Sequence, residues 1–454
     1  MEGNKRTRRR RHSGLERLKS LLILLLTLSA VALTYCVLMY SDFAGTAPKG
    51  WLGGLLSLFS AEQTPSVSEN NPLGQAGAAA QPVRIAVCDG SDRYAIQYDA
   101  AQVERLFDSV SILLSEALSS AEAPQPVDEA AWRSALQAPG IWLDYLGKIP
   151  LEALYAWMGE GGRNDALTAT ARQLAVALDE DGVMRLYYHN EDDGLYYACQ
   201  TDVTYAGHAD ELLSGYGRNG LAFVFELGED SGYTGLDPYV LISTSVPNPP
   251  VYRASNPMAS ADEAMVAALQ AAVSFQTSSD SLYQTPDGLR FRIGLETLEI
   301  RNDGTVTYHA PADGAARYPI GTEEGYTISE LVEYTRRLAA DTVGRYCGSA
   351  RVYLMEVTQS EDGITEVCYG YVLNGSAVLL PEDSCAARFT VQNGQITDYT
   401  LRFRSYEETS EHSLLLPERQ AAAALDVLAP EGRELSLCYT DNGGDTVQAG
   451  WAAR

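Results

Sequence analysis

Gly215-Tyr216-Gly217-Arg218-Asn219-Gly220 matches the GxGxxG pattern of a nucleotide-binding loop. Glycines in that loop let the backbone approach a pyrophosphate at a helix N-terminus, so the motif needs a strand before it and a helix after it. Here a helix-like ADELL precedes and a strand-like LAFVFEL follows, and the segment reads as a loop. His189, His208, His309 and His412 are far apart, with no HExxH or HxH to hold a zinc ion. No GxSxG or SxxK is present, which argues against serine acyl-enzyme chemistry of those types. Asp441-Asn442-Gly443-Gly444-Asp445 offers oxygens to Ca²⁺ but lacks the EF-hand spacing and its final Glu, so it reads as a hairpin turn. The carboxylate pairs Asp192-Asp193 and Glu407-Glu408 have a form that glycoside hydrolysis uses. With 60 acidic residues in the chain, such pairs arise by chance. Tyr187-Tyr188 and Tyr196-Tyr197 could stack on sugars, but strands favour tyrosine anyway. The sequence therefore assigns no catalytic, cofactor-binding or metal-binding residue.

The elements around these residues alternate helices with meanders. Strands are predicted at 83–87 and 94–98, and Asp99 is placed to cap a helix whose stripe is Val103, Leu106, Phe107, Val110, Leu113, Leu114, Ala117 and Leu118. A short helix follows Asp128, a strand runs 141–146, and Ile149-Pro150-Leu151 opens a helical turn to Met158. Turns at Asp181-Gly182, Asp193-Gly194 and Asn219-Gly220 punctuate strands from 173 to 251. Asn256-Pro257 marks a domain boundary, and Ser260 with Glu263 forms a capping box for a helix to about 275. A second helix is expected over 328–345, then antiparallel strands turning at Asp362-Gly363, Asn374-Gly375 and Asn393-Gly394, and a helix over 418–428. This is an α+β chain, with antiparallel β-meander sheets covered by helices.

Residues 21–40, LLILLLTLSAVALTYCVLMY, carry no charge over twenty positions, which spans a ~30 Å hydrocarbon core as a helix. Eight basic and two acidic residues precede them and give +6; the chain carries −27, so the remainder carries −33. The basic flank places the N-terminus in the cytoplasm and everything after residue 40 outside. The apolar run is longer than a signal-peptide core, and Tyr35 before Cys36 does not suit a lipoprotein site. The expected organisation is a cytoplasmic basic stub at 1–20, a transmembrane helix at 21–40, a flexible linker at 41–82 rich in Gly, Ala, Ser and Pro, and two extracellular α+β domains at 83–255 and 256–454. An acidic outer part repels nucleic acid and anionic lipid, and free basic ligands or cations are its electrostatic match. Cys88, Cys199, Cys347, Cys368, Cys385 and Cys438 show no CxxC and mostly sit in strand-like runs; buried thiols are expected, with one disulfide open. Within the anchor, Thr27, Ala30, Val31 and Thr34 share one helix face of small or hydroxyl side chains, a surface for contact with a partner helix.

Several segments taken in order resemble the YycH/YycI family of two-component regulatory proteins. These are Glu16-Arg17-Leu18-Lys19-Ser20 leading into the anchor, and Pro139-Gly140-Ile141-Trp142-Leu143-Asp144-Tyr145 with Ile149-Pro150-Leu151. Leu298-Glu299-Ile300 follows, with Asp303-Gly304 and Tyr308, then Ala387-Arg388-Phe389 to Asn393-Gly394-Gln395-Ile396 and the 418–428 helix. Leu435-Ser436-Leu437-Cys438-Tyr439 with Trp451 closes the series. The 42–82 linker and the six outer cysteines depart from the pattern. The resemblance implies a Gram-positive, single-pass membrane protein that regulates a sensor histidine kinase controlling cell-wall metabolism. It would act without catalysis or cofactor, through its transmembrane helix and outer domain, alongside a paralogous regulator. Two other classes stay open: an extracellular binding module for wall polymer or peptide, and an anchored wall hydrolase.

Overall fold

A computed structural model describes residues 76–454 except 160–162, 205–216, 234, 244–245, 260–261, 277–281, 313, 315–316, 322–324, 429–433 and 454. The anchor expected at 21–40, with its face Thr27, Ala30, Val31 and Thr34, lies outside the described residues, as do the expected basic stub and most of the expected linker. No helix among the described residues is long and apolar enough to cross a membrane. All described residues belong to one compact unit.

The first sheet has seven strands, all drawn from residues 84–200: β1 (Arg84–Cys88), β2 (Arg93–Ile96), β3 (Gln125–Val127), β4 (Gly140–Pro150), β5 (Thr170–Leu178), β6 (Met184–Asn190) and β7 (Tyr196–Gln200). They are ordered β2-β1-β4-β5-β6-β7-β3, with antiparallel pairing throughout. After the short α1 (Ala76–Ala79) come α2 (Ala100–Ser120), α3 (Glu129–Gln137) and α4 (Leu151–Trp157). Alternate strand residues face two helical layers. Ile85, Val87, Leu143, Leu174 and Val176 pack with Leu106, Phe107, Val110 and Leu114 of α2. Ala86, Trp142, Ala175 and Ala177 pack with Trp132, Ala135 and Leu136 of α3. With both faces covered, β4 is buried at every position but one, although an aspartate interrupts its apolar run. Asp99 caps α2 through an acceptor bond from Gln102 N–H, as the sequence implies.

A two-stranded sheet, β8 (Ala222–Phe223) with β9 (Leu241–Ile242), links to a thirteen-stranded sheet. Its strands are β10 (Pro250–Ser255), β11 (Leu282–Thr285), β12 (Gly288–Ile293), β13 (Glu296–Arg301), β14 (Thr305–His309), β15 (Arg351–Gln359), β16 (Thr365–Leu373), β17 (Ser376–Leu379), β18 (Ala387–Gln392), β19 (Gln395–Arg402), β20 (Ser405–His412), β21 (Leu435–Thr440) and β22 (Thr446–Ala453). The path runs β11-β12-β13-β14-β19-β18-β16-β17-β21-β22-β10-β20, with β15 beside β16. One pairing departs from the antiparallel expectation: β17 and β21 run parallel where the meander joins the C-terminal hairpin.

The helices of this half are α5 (Glu263–Ala272), α6 (Ile328–Asp341) and α7 (Glu418–Leu428). Asp262, rather than Ser260, caps α5, because its carboxylate accepts Met265 N–H at 2.8 Å; Ser260 is outside the described residues. Helix α6 opens on a reciprocal Thr327/Glu330 box and stops four residues short of the expected 345. Thr342 leaves helical geometry, and a 3₁₀ turn over Val343–Tyr346 follows.

The two large sheets meet backbone to backbone. A Cβ on Gly147, in β4, would sit 1.9 Å from the Leu354 carbonyl of β15, so only glycine allows the approach. The Asn374-Gly375 turn before β17 reinforces it: Asn374 Oδ1 accepts Ala100 N–H at 2.8 Å and its Nδ2 donates to Tyr98 O at 2.9 Å.

Candidate ligand site at the sheet junction

Four charged side chains occupy the junction. Arg84 comes from β1, Asp144 from β4, Arg172 from β5, and Glu434 from the residue before β21. Arg172 grips Asp144 with two bonds of 3.0 Å, from Nε to Oδ1 and from Nη2 to Oδ2. It also grips Glu434, at 2.7 Å from Nη2 and 2.5 Å from Nη1. Arg84 Nη1 donates to Asp144 Oδ2 at 2.9 Å and to Glu434 Oε1 at 3.3 Å. Ser436 Oγ and the Leu146 N–H, each at 2.8 Å, satisfy remaining carboxylate lone pairs. The planar fork of arginine suits this bidentate arrangement. Burial pushes the Asp144 and Glu434 carboxyls up, but the arginines prevail and hold both below the usual carboxylate range. Two positive and two negative charges cancel, so the cluster is a neutral bolt between the sheets.

A cavity of about 290 Å³ opens beside the bolt. Arg84, Arg172 and Glu434 form one wall. Trp132 of α3, Tyr196 of β7 and Tyr239 form another. Trp132 stacks on Tyr196 at 5.8 Å between ring centres, and Tyr239 meets both edge-on at 6.1 and 6.0 Å. The third wall holds His189, Glu191 and Asp237. His189 Nδ1 lies 3.4 Å from Glu191 Oε1, a contact that raises the imidazole and lowers the carboxyl from their ordinary values. Asp237 accepts Tyr239 N–H at 2.8 Å, yet burial outweighs that bond and raises its carboxyl. Two buried donors of residues on this lining, Arg84 Nε–H and Trp132 Nε1–H, have no acceptor among the described residues. The cavity thus combines an aromatic face with carboxylates beyond those the arginines neutralise.

The residues weighed from sequence scatter. His309 pairs with Asp398 at 2.6 Å on the surface, while His412 sits in β20. Asp441 is spent on Arg404 at 2.7 and 2.9 Å and on Tyr406 at 2.8 Å, a structural pairing that no calcium reading needs. Gly215 and Tyr216 lie outside the described residues. Among the described residues no group of three or more His, Cys, Asp and Glu is placed to hold a metal. Arg84, Asp144 and Arg172 are not among the site residues that the sequence offers. Their signal was a lone charge inside each apolar strand, as in VRIAV and IWLDYL. Glu434 left no comparable mark.

No family model matches the chain, and no curated protein matches it by sequence. The crystal structure of YycH from Bacillus subtilis superposes with a TM-score of 0.52 at 11% identity, over 83% of this chain and 94% of that one. The fold is YycH-like. At that identity the likeness concerns the path of the chain alone.

Proposed function

We propose that this protein is a membrane-anchored, non-catalytic regulator of a sensor histidine kinase that controls cell-wall metabolism, with a paralogous regulator as a further partner. The observation that carries the reading is the YycH-like fold over 83% of the chain. The uncharged span at 21–40 and its +6 flank support an N-in, C-out anchor with 83–255 and 256–454 outside. The anchor face Thr27, Ala30, Val31 and Thr34 contacts the kinase helix in this reading. Ala30→Leu and Thr34→Leu keep insertion but block close approach, so crosslinking to the kinase and a reporter of its output should both fall. Leu24→Ile and Leu28→Ile on another face should change neither. Equal behaviour of the two sets would sink the helix contact.

The cavity favours a second reading, an external binding module for a wall-derived peptide. Asp237 and Glu191 suit an ammonium group, and the three rings suit an aliphatic stem. Isothermal titration of the full chain in detergent with a lysine-ended dipeptide tests it, with N-acetylglucosamine as the comparison ligand. Heat from the dipeptide alone supports the module; heat from neither removes it.

A further inference from the structure

All six described cysteines are thiols and all are buried, but only two face each other. Cys368 lies in β16 and Cys385 at the entry to β18; the two thiols hydrogen-bond to one another. The strands bring them there. Cys368 is paired with Arg388 and Tyr369 with Ala387, and the Ala386 N–H then donates to Tyr369 O at 2.8 Å, bending the chain back toward β16. Arg388 Nη2 lies 3.6 Å from Cys385 Sγ, and Arg402 Nη1 donates to Cys385 O at 3.2 Å. Cys368 as donor, with Arg388 and Arg402 as neighbouring charges, brings the Cys385 thiol down to about 6 despite burial. By contrast, burial pushes Cys199 and Cys347 up to about 12. Of the facing pair, Cys385 is the thiol whose ionised form the surroundings favour, with its partner in reach.

We propose that Cys368 and Cys385 form a dithiol site that closes to a disulfide by exchange with a disulfide-bearing oxidant. The Cys385 thiolate attacks one sulfur of the oxidant, forms a mixed disulfide and expels the other sulfur as a thiolate. Cys368, on losing its proton, attacks Cys385 Sγ and expels the second thiolate. Two protein thiols are oxidised to one disulfide, the oxidant is reduced to two thiols, and no other electron acceptor is needed. The closed loop contains β17, which pairs with β16 on one side and β21 on the other. It also contains the Asn374 turn that holds Tyr98 and Ala100 of the first half. Closure thus staples the strand through which the meander, the C-terminal hairpin and the first sheet are joined.

The full chain in detergent, equilibrated in glutathione buffers from reducing to oxidising, is digested without reduction and mapped by mass spectrometry. A linked peptide joining Cys368 to Cys385 is expected, and the thermal midpoint should rise by several degrees as it accumulates. Cys368→Ser should leave a glutathione adduct on Cys385, because nothing resolves the mixed disulfide. Cys385→Ser should abolish the linkage and leave no adduct on Cys368. Brief alkylation of the reduced, folded wild type at pH 6.5 gives a readout free of any mutation, in which Cys385 should label first. The proposal is overturned if both thiols of the wild type stay fully alkylatable across the series. It is overturned equally if Cys385 labels no faster than Cys199 and Cys347, or if another pairing dominates.

Discussion

Asp144 and Asp441 are both fully buried aspartates that hold arginines, yet their surroundings differ. Asp441 and Arg404 close on themselves: two bonds join them, Tyr406 and the Gly443 N–H fill the remaining lone pairs, and Arg404 Nη2 ends on Gly444 O at 2.6 Å. Nothing is left over, and no described cavity touches the pair. The Asp144 bolt spans two sheets, leaves Arg84 Nε–H without an acceptor among the described residues, and forms a cavity wall. A closed ion pair holds a hairpin together. An open one at a junction holds sheets together and walls a cavity.

The largest expected effect separates the two. Asp144→Asn leaves Arg84 and Arg172 with only Glu434 and strands a buried positive charge; a loss of about 3–5 kcal/mol is expected. The pH dependence has a definite sign. Because folding lowers the Asp144 and Glu434 pKa values, their stabilisation is present above the ordinary carboxylate range and is lost as pH falls below it. Acid unfolding of the wild type should therefore begin only well below pH 4, and that of Asp144→Asn earlier. Asp441→Asn should cost less, about 1.5–3 kcal/mol, since one arginine is freed and the Asn oxygen still accepts. Urea denaturation of both variants checks the order. A larger loss for Asp441→Asn would mean that the bolt is not what joins the sheets.

A smaller effect sits between the regions. Glu418, the first residue of α7, is 5% exposed, and burial pushes its carboxyl up to about 7; its bond from Ser243 N–H and the Arg84 charge only soften this. The folded state thus binds this proton more tightly, so the contribution of Glu418 to stability is greatest below about pH 4.5 and declines as pH rises toward 7. Glu418→Gln should flatten that decline, worth up to a few kcal/mol, while leaving the acid limb set by Asp144 and Glu434 untouched. Melting curves across pH 4–8 would show it. An unchanged slope would exclude Glu418 as its source.

Much of this architecture was legible because its signals are local. The Asp99 cap, the α2 stripe and the turns at Asp303-Gly304, Asn374-Gly375 and Asn393-Gly394 each depend on a few adjacent residues. What escaped depends on partners remote in sequence. Asp144 meets Glu434 only through arginines on β1 and β5, and the cavity needs α3, β7 and the 237–240 turn at once. Periodicity shows which face of β4 is apolar, but it does not show what an aspartate there will find. The parallel β17–β21 pairing escaped for the same reason, since no turn connects those strands. The same holds for Cys368 and Cys385: their spacing resembles no motif, and only the bend at Ala386 brings the sulfurs together.

The smallest expected effect on stability is the most telling for the site. Asp237 differs from Asp144 and Asp441 in having no arginine within bonding distance among the described residues, where the Tyr239 N–H at 2.8 Å is its partner. Its carboxyl is raised by burial, so the fold carries a cost for the ionised form relative to the unfolded chain. Asp237→Asn removes that cost while the amide oxygen keeps the turn bond. Stability should stay within about 0.5 kcal/mol of wild type and shift upward if at all. A residue kept for packing or pairing behaves the other way, as Asp144→Asn should. If the cavity takes an ammonium-bearing ligand, the same substitution should abolish binding of the lysine-ended dipeptide while the thermal midpoint holds. This pairing of preserved stability with lost binding marks a residue whose cost serves a ligand. Destabilisation of Asp237→Asn comparable to that of Asp144→Asn would erase the distinction between the two aspartates and make the cavity wall part of the bolt.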